Sequence, residues 1–257
     1  MKSLLKISSL SAKCLNLLPM AAFSAARKFL FFFGAPGVGK GTFAERLARD
    51  LKFNKISTGD ELRKIIKSQA SSTMDESLVA KVKGIVSSGK LVSDDIIMAI
   101  IAEKLNEPES KYGVIFDGFP RTLGQLKKYE EKYPTHLVFN ITLNFEILME
   151  KLLGRRTCVS CGRAYNICSI NKNGYEMKPL LPKEEDKCDD CGDKLIQRSD
   201  DNEEVIAKRM KEYEAKTLPL LEEYQKKGVV FEFEPKKGVQ DYPLFLEQVK
   251  PLIEKIE

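Results

Sequence analysis

The segment GAPGVGKGT, residues 34–42, constrains the fold and chemistry of this chain more than any other stretch. It nearly fits the phosphate-loop pattern of Gly, four residues, Gly, Lys and then Ser or Thr. The departure lies at Gly41, which follows Lys40 at the position where the pattern has a hydroxyl side chain. The hydroxyl arrives one residue later, at Thr42. The segment is therefore either a spoiled phosphate loop or a particular variant of one.

The residues on either side supply the structural context that a phosphate loop requires. The run KFLFFFG, residues 28–34, is apolar and aromatic and predicts a buried strand of a parallel sheet. Phe43, Leu47 and Leu51 then recur every four residues, which predicts a helix. Between them, glycine N–H groups and the positive end of the helix can surround phosphate oxygens, and Lys40 can reach the terminal phosphates. A plain glycine-rich turn is the alternative, which the lysine and the preceding strand argue against.

Further apolar segments predict a doubly wound α/β fold. Four more strands are predicted, at residues 53–57, 113–119, 136–142 and 229–233. Two helices, each with one apolar face, are predicted before the third strand. The apolar face of the first consists of Leu78, Val79, Val82, Ile85 and Val86. The second helix follows a capping Ser93, and its apolar face consists of Ile96, Ile97, Ile100, Ile101 and Leu105. Because strands and helices alternate, we expect a parallel sheet. Residues 155–199 break this rhythm and contain four cysteines.

The first 28 residues differ in composition from the rest of the chain. They contain several serines, no acidic residue, and the basic residues Lys2, Lys6, Lys13, Arg27 and Lys28. This composition is typical of an organelle transit peptide, so we expect residues 1–28 to direct the protein to a mitochondrion or plastid. A disordered tail, which would leave the protein in the cytoplasm, is the alternative. A secretory signal is disfavoured because Asn16 and Pro19 interrupt the apolar stretch.

This leader also accounts for the basic balance of the chain. The 257 residues carry a formal net charge of +5, and residues 29–257 contain equal numbers of basic and acidic side chains. The charge therefore gives no electrostatic support to a nucleic-acid-binding protein. No apolar stretch reaches the roughly 18 residues of a membrane-spanning helix. A chain of this length suits one α/β domain with small insertions.

Two Cys-x-x-Cys-Gly segments predict a metal site. They are CVSCG and CDDCG, which place thiols at Cys158, Cys161, Cys188 and Cys191. Four thiolates suit tetrahedral Zn²⁺, and such a closed site is structural because it leaves no coordination position open. The 26 residues between Cys161 and Cys188 exceed the usual spacing, so an extra loop is expected around residues 171–182. Two disulfides are the alternative, while Cys14 and Cys168 lack a partner pattern.

Taken together, the motifs resemble those of nucleoside monophosphate kinases, and of adenylate kinases above all. In that family a Gly follows the loop Lys and a Thr comes next. Five further segments resemble the family's motifs in its order: STGDELR (57–63), GKLVSD (89–94), DGFPRTLGQ (117–125), GRR (154–156) and RSDD (198–201). The resemblance covers about residues 29–257. It implies a phosphate-loop NTPase fold with a parallel five-stranded sheet, helices on both faces, an AMP-binding helical insert at 57–88 and a zinc-bearing lid at 155–199.

The same resemblance implies the site residues. On the donor side, the residues expected to bind ATP are Gly37, Val38, Gly39, Lys40, Gly41, Thr42, Lys151, Arg155, Ala164, Tyr165 and Gly238. On the acceptor side, those expected to bind AMP are Thr58, Arg63, Lys90, Leu91, Val92, Gly118, Phe119, Pro120, Arg121, Gln125, Arg198 and Arg209. Thr42 and Asp117 are the expected Mg²⁺ residues. Plain structural roles are the alternatives, namely a helix cap at Ser57 or Thr58 and a turn cap at Asp117. The lone His136 is expected to be structural.

The implied reaction is the reversible, Mg-dependent transfer of a phosphoryl group from ATP to AMP, which gives two ADP. Such transfer needs positioned positive charge and no protein nucleophile, so the expected catalytic residues are Lys40, Arg121, Arg155, Arg198 and Arg209. We expect a monomer without a nucleic-acid partner. Lys151 stands where many relatives have an Arg that stacks on the donor base, so a GTP:AMP phosphotransferase is an alternative. A zinc-ribbon nucleic-acid-binding module is the alternative of another class.

Overall fold

The computed structural model describes residues 27–67 and 76–256. Its strands and helices, in chain order, are β1 Lys28–Phe33, α1 Lys40–Leu51, β2 Asn54–Ser57, α2 Thr58–Lys67, α3 Glu76–Ser87, α4 Asp94–Leu105, β3 Gly113–Asp117, α5 Leu123–Glu130, β4 Leu137–Ile141, α6 Phe145–Leu153, β5 Arg155–Cys158, β6 Ala164–Asn166, β7 Ile170–Lys172, β8 Tyr175–Met177, β9 Leu195–Ile196, α7 Glu203–Glu212, α8 Pro219–Lys226, β10 Val230–Phe233 and α9 Tyr242–Glu254. The predicted leader lies outside the described residues except for its last two positions.

The five strands predicted from the sequence form one parallel sheet, as expected. Their order is β10–β4–β1–β3–β2, and every neighbouring pair is parallel. In the central strand, Phe31 lies opposite Phe116 of β3 on one side and Val138 of β4 on the other. Because β1 has strands on both edges and helices on both faces, nearly all of its side chains are apolar.

Alternate side chains of β1 belong to two separate cores, one on each face of the sheet. Phe29, Phe31 and Phe33 pack with α2, α3, α4, α5 and α8. Leu30 and Phe32 pack with α1, α6, α7 and α9. This division follows from the two-residue period of a strand. The sequence therefore builds a three-layer α/β fold around one aromatic strand.

Several side chains singled out in the sequence have structural roles. Phe43 of α1 is buried, and its ring meets the Phe245 ring edge to face, with centroids 5.3 Å apart. His136 accepts a hydrogen bond through Nδ1 from the Phe29 backbone N–H at 2.9 Å, and its ring stacks on Phe29. Ser93 occupies the N-cap position of α4, but its side chain makes no capping hydrogen bond.

The predicted apolar face of α3 contacts the first core. Val79 and Val82 are buried, and Ile85 and Val86 pack against that core. The side chain of Leu78 lies outside the described part of the structure. Among the helices of residues 27–67 and 76–256, none combines the length and apolarity needed to cross a bilayer.

The cysteine-containing insertion consists of two small sheets. Strands β6, β5 and β9 form an antiparallel sheet, and β7 pairs with β8 in a separate hairpin. The hairpin turns at Asn173 and Gly174, whose φ angles are 53° and 78°. Left-handed residues in both turn positions suit a two-residue hairpin loop. The surplus residues that the sequence predicted as an extra loop are therefore partly a β-hairpin.

Candidate active site

One continuous cleft of about 260 Å³ opens at the carboxyl ends of the parallel strands. The loop between β1 and α1 lines it, together with Asp117 at the end of β3 and residues of the cysteine-containing insertion. This edge is where open parallel α/β sheets place their ligands. A second, smaller pocket joins it between α2, α4 and α5.

Lys40 begins α1 and lies inside the cleft. Its ammonium donates hydrogen bonds of 2.7 Å to the backbone oxygens of Gly34 and Ala35. Burial lowers the pKa of Lys40 to about 7, an effect that nearby Asp117 opposes and Arg121 reinforces. A desolvated cation held against carbonyl oxygens is poised to interact with an anion that enters the cleft.

The glycine at position 41 has a steric explanation. A Cβ built on Gly41 would lie 3.0 Å from the Asp117 Oδ2 atom, so a side chain there would crowd the carboxylate. With Gly41, the Asp117 carboxylate can lie against the first turn of α1. The glycine after Lys40 therefore leaves room for the Asp117 carboxylate beside the loop.

Five arginines converge on the same cleft. They are Arg63, Arg121, Arg155, Arg198 and Arg209. Burial lowers the pKa of Arg198 to about 9 and that of Arg209 to about 10, and the charge of Arg155 contributes to both shifts. Arginine side chains remain charged near neutral pH. Mutually repelling guanidinium groups in one cavity indicate a site for a polyanion.

Two aspartates hold this arginine cluster in place. Arg155 donates two hydrogen bonds to Asp201, one of them Nε to Oδ2 at 2.7 Å. Arg209 donates to Asp200 at 2.9 Å. Burial alone would raise the pKa of Asp200, but Arg209 and the other arginines lower it. Arg198 instead donates through Nε to the Thr157 hydroxyl at 3.0 Å.

The smaller pocket is lined by most of the predicted acceptor residues. Thr58 donates its hydroxyl hydrogen to the Gly118 oxygen at 2.7 Å, and Arg121 donates Nε–H to the same oxygen at 2.8 Å. A Cβ on Gly118 would lie 2.6 Å from Arg121 Nη2, so only glycine permits this close approach. Ser57 accepts a hydrogen bond from the Asp60 N–H at 3.4 Å, consistent with the capping alternative.

Gln125 is a buried member of this pocket with two hydrogen-bond partners. Its Oε1 accepts from the Arg121 backbone N–H at 2.7 Å, and its amide nitrogen donates to Asp94 at 2.9 Å. Asp94 also accepts from the Thr122 hydroxyl at 2.9 Å, and Thr122 caps α5. Gln125 thus positions the backbone beside Arg121 while it lines the pocket.

The opposite end of the cleft contains further residues predicted to bind ATP, among them Lys151, which the resemblance places at the donor base. Lys151, Ala164, Tyr165 and Gly238 line it, together with Met177 from β8. Burial lowers the pKa of Lys151, whose ammonium lies 3.7 Å from the Met177 sulfur. The Tyr165 hydroxyl is directed away from the cleft, because it donates to the Cys188 sulfur at 3.6 Å and accepts from the Asp189 N–H at 2.7 Å.

The four cysteines of the two knuckles form one cluster. Their sulfur atoms all lie within 4.8 Å of one another. The Cys158 and Cys191 sulfurs are 3.4 Å apart, and those of Cys161 and Cys188 are 3.5 Å apart. These separations exceed the ~2.05 Å of a disulfide and fit the ~3.8 Å edge of a tetrahedron with metal–sulfur bonds near 2.3 Å. The four thiols therefore fit a metal ion.

Most residues predicted from the sequence line the two pockets, with two exceptions. The side chains of Val38 and Phe119 pack in the cores, so only their backbones are available to a nucleotide. Sequence reasoning did not find Asp60, which pairs with Arg63, or Thr217, whose hydroxyl donates to the Arg121 oxygen at 2.9 Å. It also missed Met177, although the Asn-Gly pair of the preceding turn is a hairpin signal.

Comparison with known proteins agrees with this geometry. The adenylate kinase family profile matches residues 32–229. This chain belongs to the adenylate kinase family. It is 39% identical over 228 residues to adenylate kinase 1, chloroplastic, of Arabidopsis thaliana. The aligned region covers 85% of this chain and 76% of that protein. It is also 40% identical over 203 residues to the adenylate kinase of Nitrosococcus oceani. That alignment covers 77% of this chain and 87% of the relative.

A third relative covers most of both chains. The adenylate kinase of Archaeoglobus fulgidus is 35% identical over 233 residues, which are 89% of this chain and 99% of that protein. The protein is thus a phosphotransferase of the nucleoside monophosphate kinase class, with adenylate kinase function. The prediction made from the phosphate loop and the five further motifs is confirmed at the level of the family, the fold and the class of reaction.

Proposed function

We propose that this adenylate kinase binds Mg·ATP along the phosphate loop and AMP in the smaller pocket. The phosphoryl group is transferred between them while the five arginines stabilise its negative charge. The observation that carries this proposal is the convergence of Lys40 and the five arginines in the larger cleft, with Arg63, Arg121 and Arg209 lining the smaller pocket as well. Transfer between two anionic nucleotides concentrates negative charge where they meet. Positioned cations stabilise this charge, and no protein nucleophile is required.

Each cation has a proposed partner. Lys40 and the loop N–H groups bind the donor phosphates. Arg63 and Arg121 bind the AMP phosphate, since a guanidinium matches phosphate geometry. Arg155, Arg198 and Arg209 lie between the two and bind the phosphoryl group in transit. Asp200 and Asp201 orient Arg209 and Arg155 through the ion pairs described above.

Two proposed metal roles are separate. Thr42 and Asp117 would hold Mg²⁺ beside the donor phosphates, where the ion, when bound, neutralises phosphate charge. Cys158, Cys161, Cys188 and Cys191 would hold Zn²⁺ as a structural ion. The support for the zinc site is the clustering of four sulfurs in a small lid core of Cys158, Tyr165, Cys188 and Leu195.

The proposed localisation is the interior of a mitochondrion or plastid, after removal of residues 1–28. The basic, acid-free composition of these residues supports it, as does the similarity to a protein named chloroplastic. We also propose that the enzyme acts as a monomer and has no nucleic-acid partner.

One kinetic experiment tests the assignment of substrates. Initial rates are measured for every pairing of ATP or GTP with AMP, GMP, CMP or UMP. We expect ATP with AMP to give the highest kcat/KM, and GMP, CMP and UMP to be poor acceptors because Thr58 and Gln125 favour AMP. A GTP rate above the ATP rate would favour the GTP:AMP phosphotransferase alternative, which the unusual Lys151 motivates.

A further inference from the structure

The β7–β8 hairpin is attached to the body of the enzyme, although it lies within the cysteine-containing insertion. Ile170, Tyr175 and Met177 pack with Ile147 of α6 in one buried apolar cluster, although Met177 also lines the cleft. The Tyr175 hydroxyl accepts a hydrogen bond from the Asn144 backbone N–H at 3.0 Å and donates to the Glu234 carboxylate. These contacts join the hairpin to α6 and to the segment that follows β10.

Further bonds strengthen the same attachment. The Glu176 backbone N–H donates to the Lys236 oxygen at 2.9 Å, and the Lys236 ammonium lies 4.3 Å from the centre of the Tyr175 ring. At the turn, the Asn173 side-chain amide donates to the Glu146 carboxylate at 3.0 Å. Helix α6 and the chain after β10 therefore hold the hairpin in place, and both belong to the parallel-sheet body.

The end of β8 brings Met177 to the donor end of the cleft. Its sulfur lies 3.7 Å from the Lys151 ammonium, and a Cβ built on Gly238 would lie 3.4 Å from both its Cγ and its Sδ. Met177 thus lies beside Lys151, which is expected at the donor base, and beside Gly238, which is expected to bind ATP. A thioether is polarisable and flexible, and it packs favourably against aromatic rings. It offers no strong hydrogen bond that would distinguish one purine from another.

We propose that the β7–β8 hairpin is a fixed wall of the donor-base subsite and that Met177 packs against the donor purine. This inference rests on the proposed binding of the ATP phosphates at the loop. Because the hairpin is bonded to α6 and to the chain after β10, this wall exists whether or not the four-cysteine lid has closed. Met177 then contributes to the affinity for ATP and GTP alike and makes no contribution to the affinity for AMP.

The test compares Met177→Ala with Met177→Leu and with Glu176→Ala, a control on the exposed face of the same strand. Dissociation constants are measured for ATP, GTP and inorganic tripolyphosphate, which has the phosphates but no base. For Met177→Ala we expect about fivefold weaker binding of ATP and GTP. Binding of tripolyphosphate and the KM for AMP should stay unchanged. Met177→Leu, which keeps the apolar volume, should retain most of the ATP affinity, and Glu176→Ala all of it.

Two outcomes would overturn the inference. Unchanged ATP binding in Met177→Ala would mean that Met177 does not touch the base. Equal losses for ATP and tripolyphosphate would mean that it supports the fold of the site as a whole. The Lys40→Met variant separates these failures from a failure of the proposed function. If that variant binds tripolyphosphate as tightly as the parent enzyme, the phosphate placement itself is wrong, whatever Met177 does.

Discussion

At the scale of single residues, this site gathers cations that destabilise one another. Burial lowers the pKa of Arg121 and of Lys40, and Arg121 and Lys40 also repel each other. Such an arrangement costs folding free energy unless aspartates or a bound polyanion compensate. Asp200 and Asp201 provide part of the compensation, and two nucleotides would provide the rest.

Lys40→Met should lower turnover by about 10³-fold, the loss typical when one electrostatic donor to a transition state is removed (about 4 kcal/mol). The fold should survive, because the Lys40 side chain bonds only to loop carbonyl oxygens among the hydrogen bonds described above. Steady-state kinetics together with a thermal melt measure both effects. A folded variant with a tenth of the parent activity would disprove the donor-site assignment.

The lowered pKa of Lys40 predicts a pH dependence of donor binding. In the free enzyme the ammonium loses its proton as the pH rises through about 7, whereas a bound polyphosphate favours the charged form and raises the pKa. Near pH ~8.5, where nucleotide phosphates are fully ionised, binding should therefore take up close to one proton. ATP affinity should fall as the pH rises above about 7. Calorimetry in buffers of different ionisation enthalpy measures this uptake, and Lys40→Met should abolish it.

Gln125→Ala should raise the KM for AMP much more than the KM for ATP, because Gln125 lies in the acceptor pocket alone. The substitution also removes the partner of the Arg121 N–H and one of the two hydrogen bonds that Asp94 accepts, so the melting temperature should fall as well. Leu123→Ala, at an exposed position in the same helix, is the matched control. Equal changes in both KM values would place Gln125 outside the acceptor site.

The reactive residues of the site could be predicted from the sequence, but their partners could not. Lys40 and Arg121 lie in short motifs whose spacing alone points to phosphate chemistry. Asp94 ends the GKLVSD motif and Thr217 lies in no motif. They are 31 and 96 residues away from the groups that they bind, so no local pattern marks either contact. Only the tertiary fold brings such pairs together.

At the scale of elements, apolar strands were predictable and the small insertion was not. The three inner strands β1, β3 and β4 are buried along nearly all of their length, so their apolar runs identify them. Strands β7 and β8 have three residues each and present exposed side chains, which gives them no comparable pattern. Only the Asn173-Gly174 turn marks the hairpin in the sequence.

The lid is the element that depends most on the proposed zinc. Its buried core has four residues, two of which are the proposed ligands Cys158 and Cys188. Removal of the metal with a chelator, or Cys188→Ser, should therefore lower the melting temperature. Phosphotransfer at moderate temperature should persist, because Lys40 and Arg121 do not depend on the cluster. Elemental analysis tests whether the metal is bound, and kinetics test whether phosphotransfer persists after its removal.

Cys168→Ser is the control for this experiment, since Cys168 lies outside the four-sulfur cluster. Protein that contains no metal, with the four cysteines joined in disulfides, would contradict the zinc assignment. A demetallated enzyme that is folded but wholly inactive would instead place the metal closer to the chemistry.

At the scale of the whole molecule, the sheet topology determines where function can lie. All five strands are parallel, so their carboxyl ends meet at one edge, and the loop after β1 and Asp117 after β3 come together there. Closing lids are known from adenylate kinases themselves. Because the β7–β8 hairpin is attached to α6, we expect any such motion in this chain to involve the four-cysteine part of the insertion. The fold class and the location of the cleft both followed from the strand pattern.

The charge distribution over the whole chain yields the last prediction. Residues 29–257 carry equal numbers of basic and acidic side chains, so the surplus of positive charge lies in the predicted leader. Residues 1–28 fused to a fluorescent reporter should enter a plastid or mitochondrion in cells that contain both. The same fusion with Lys2, Lys6 and Lys13 replaced by Glu should remain outside, because organelle leaders are basic and poor in acidic residues. Mass spectrometry of imported full-length protein should find a new N-terminus near residues 27–29. Diffuse cytosolic fluorescence of the unaltered fusion, or an intact N-terminus after import, would refute the leader.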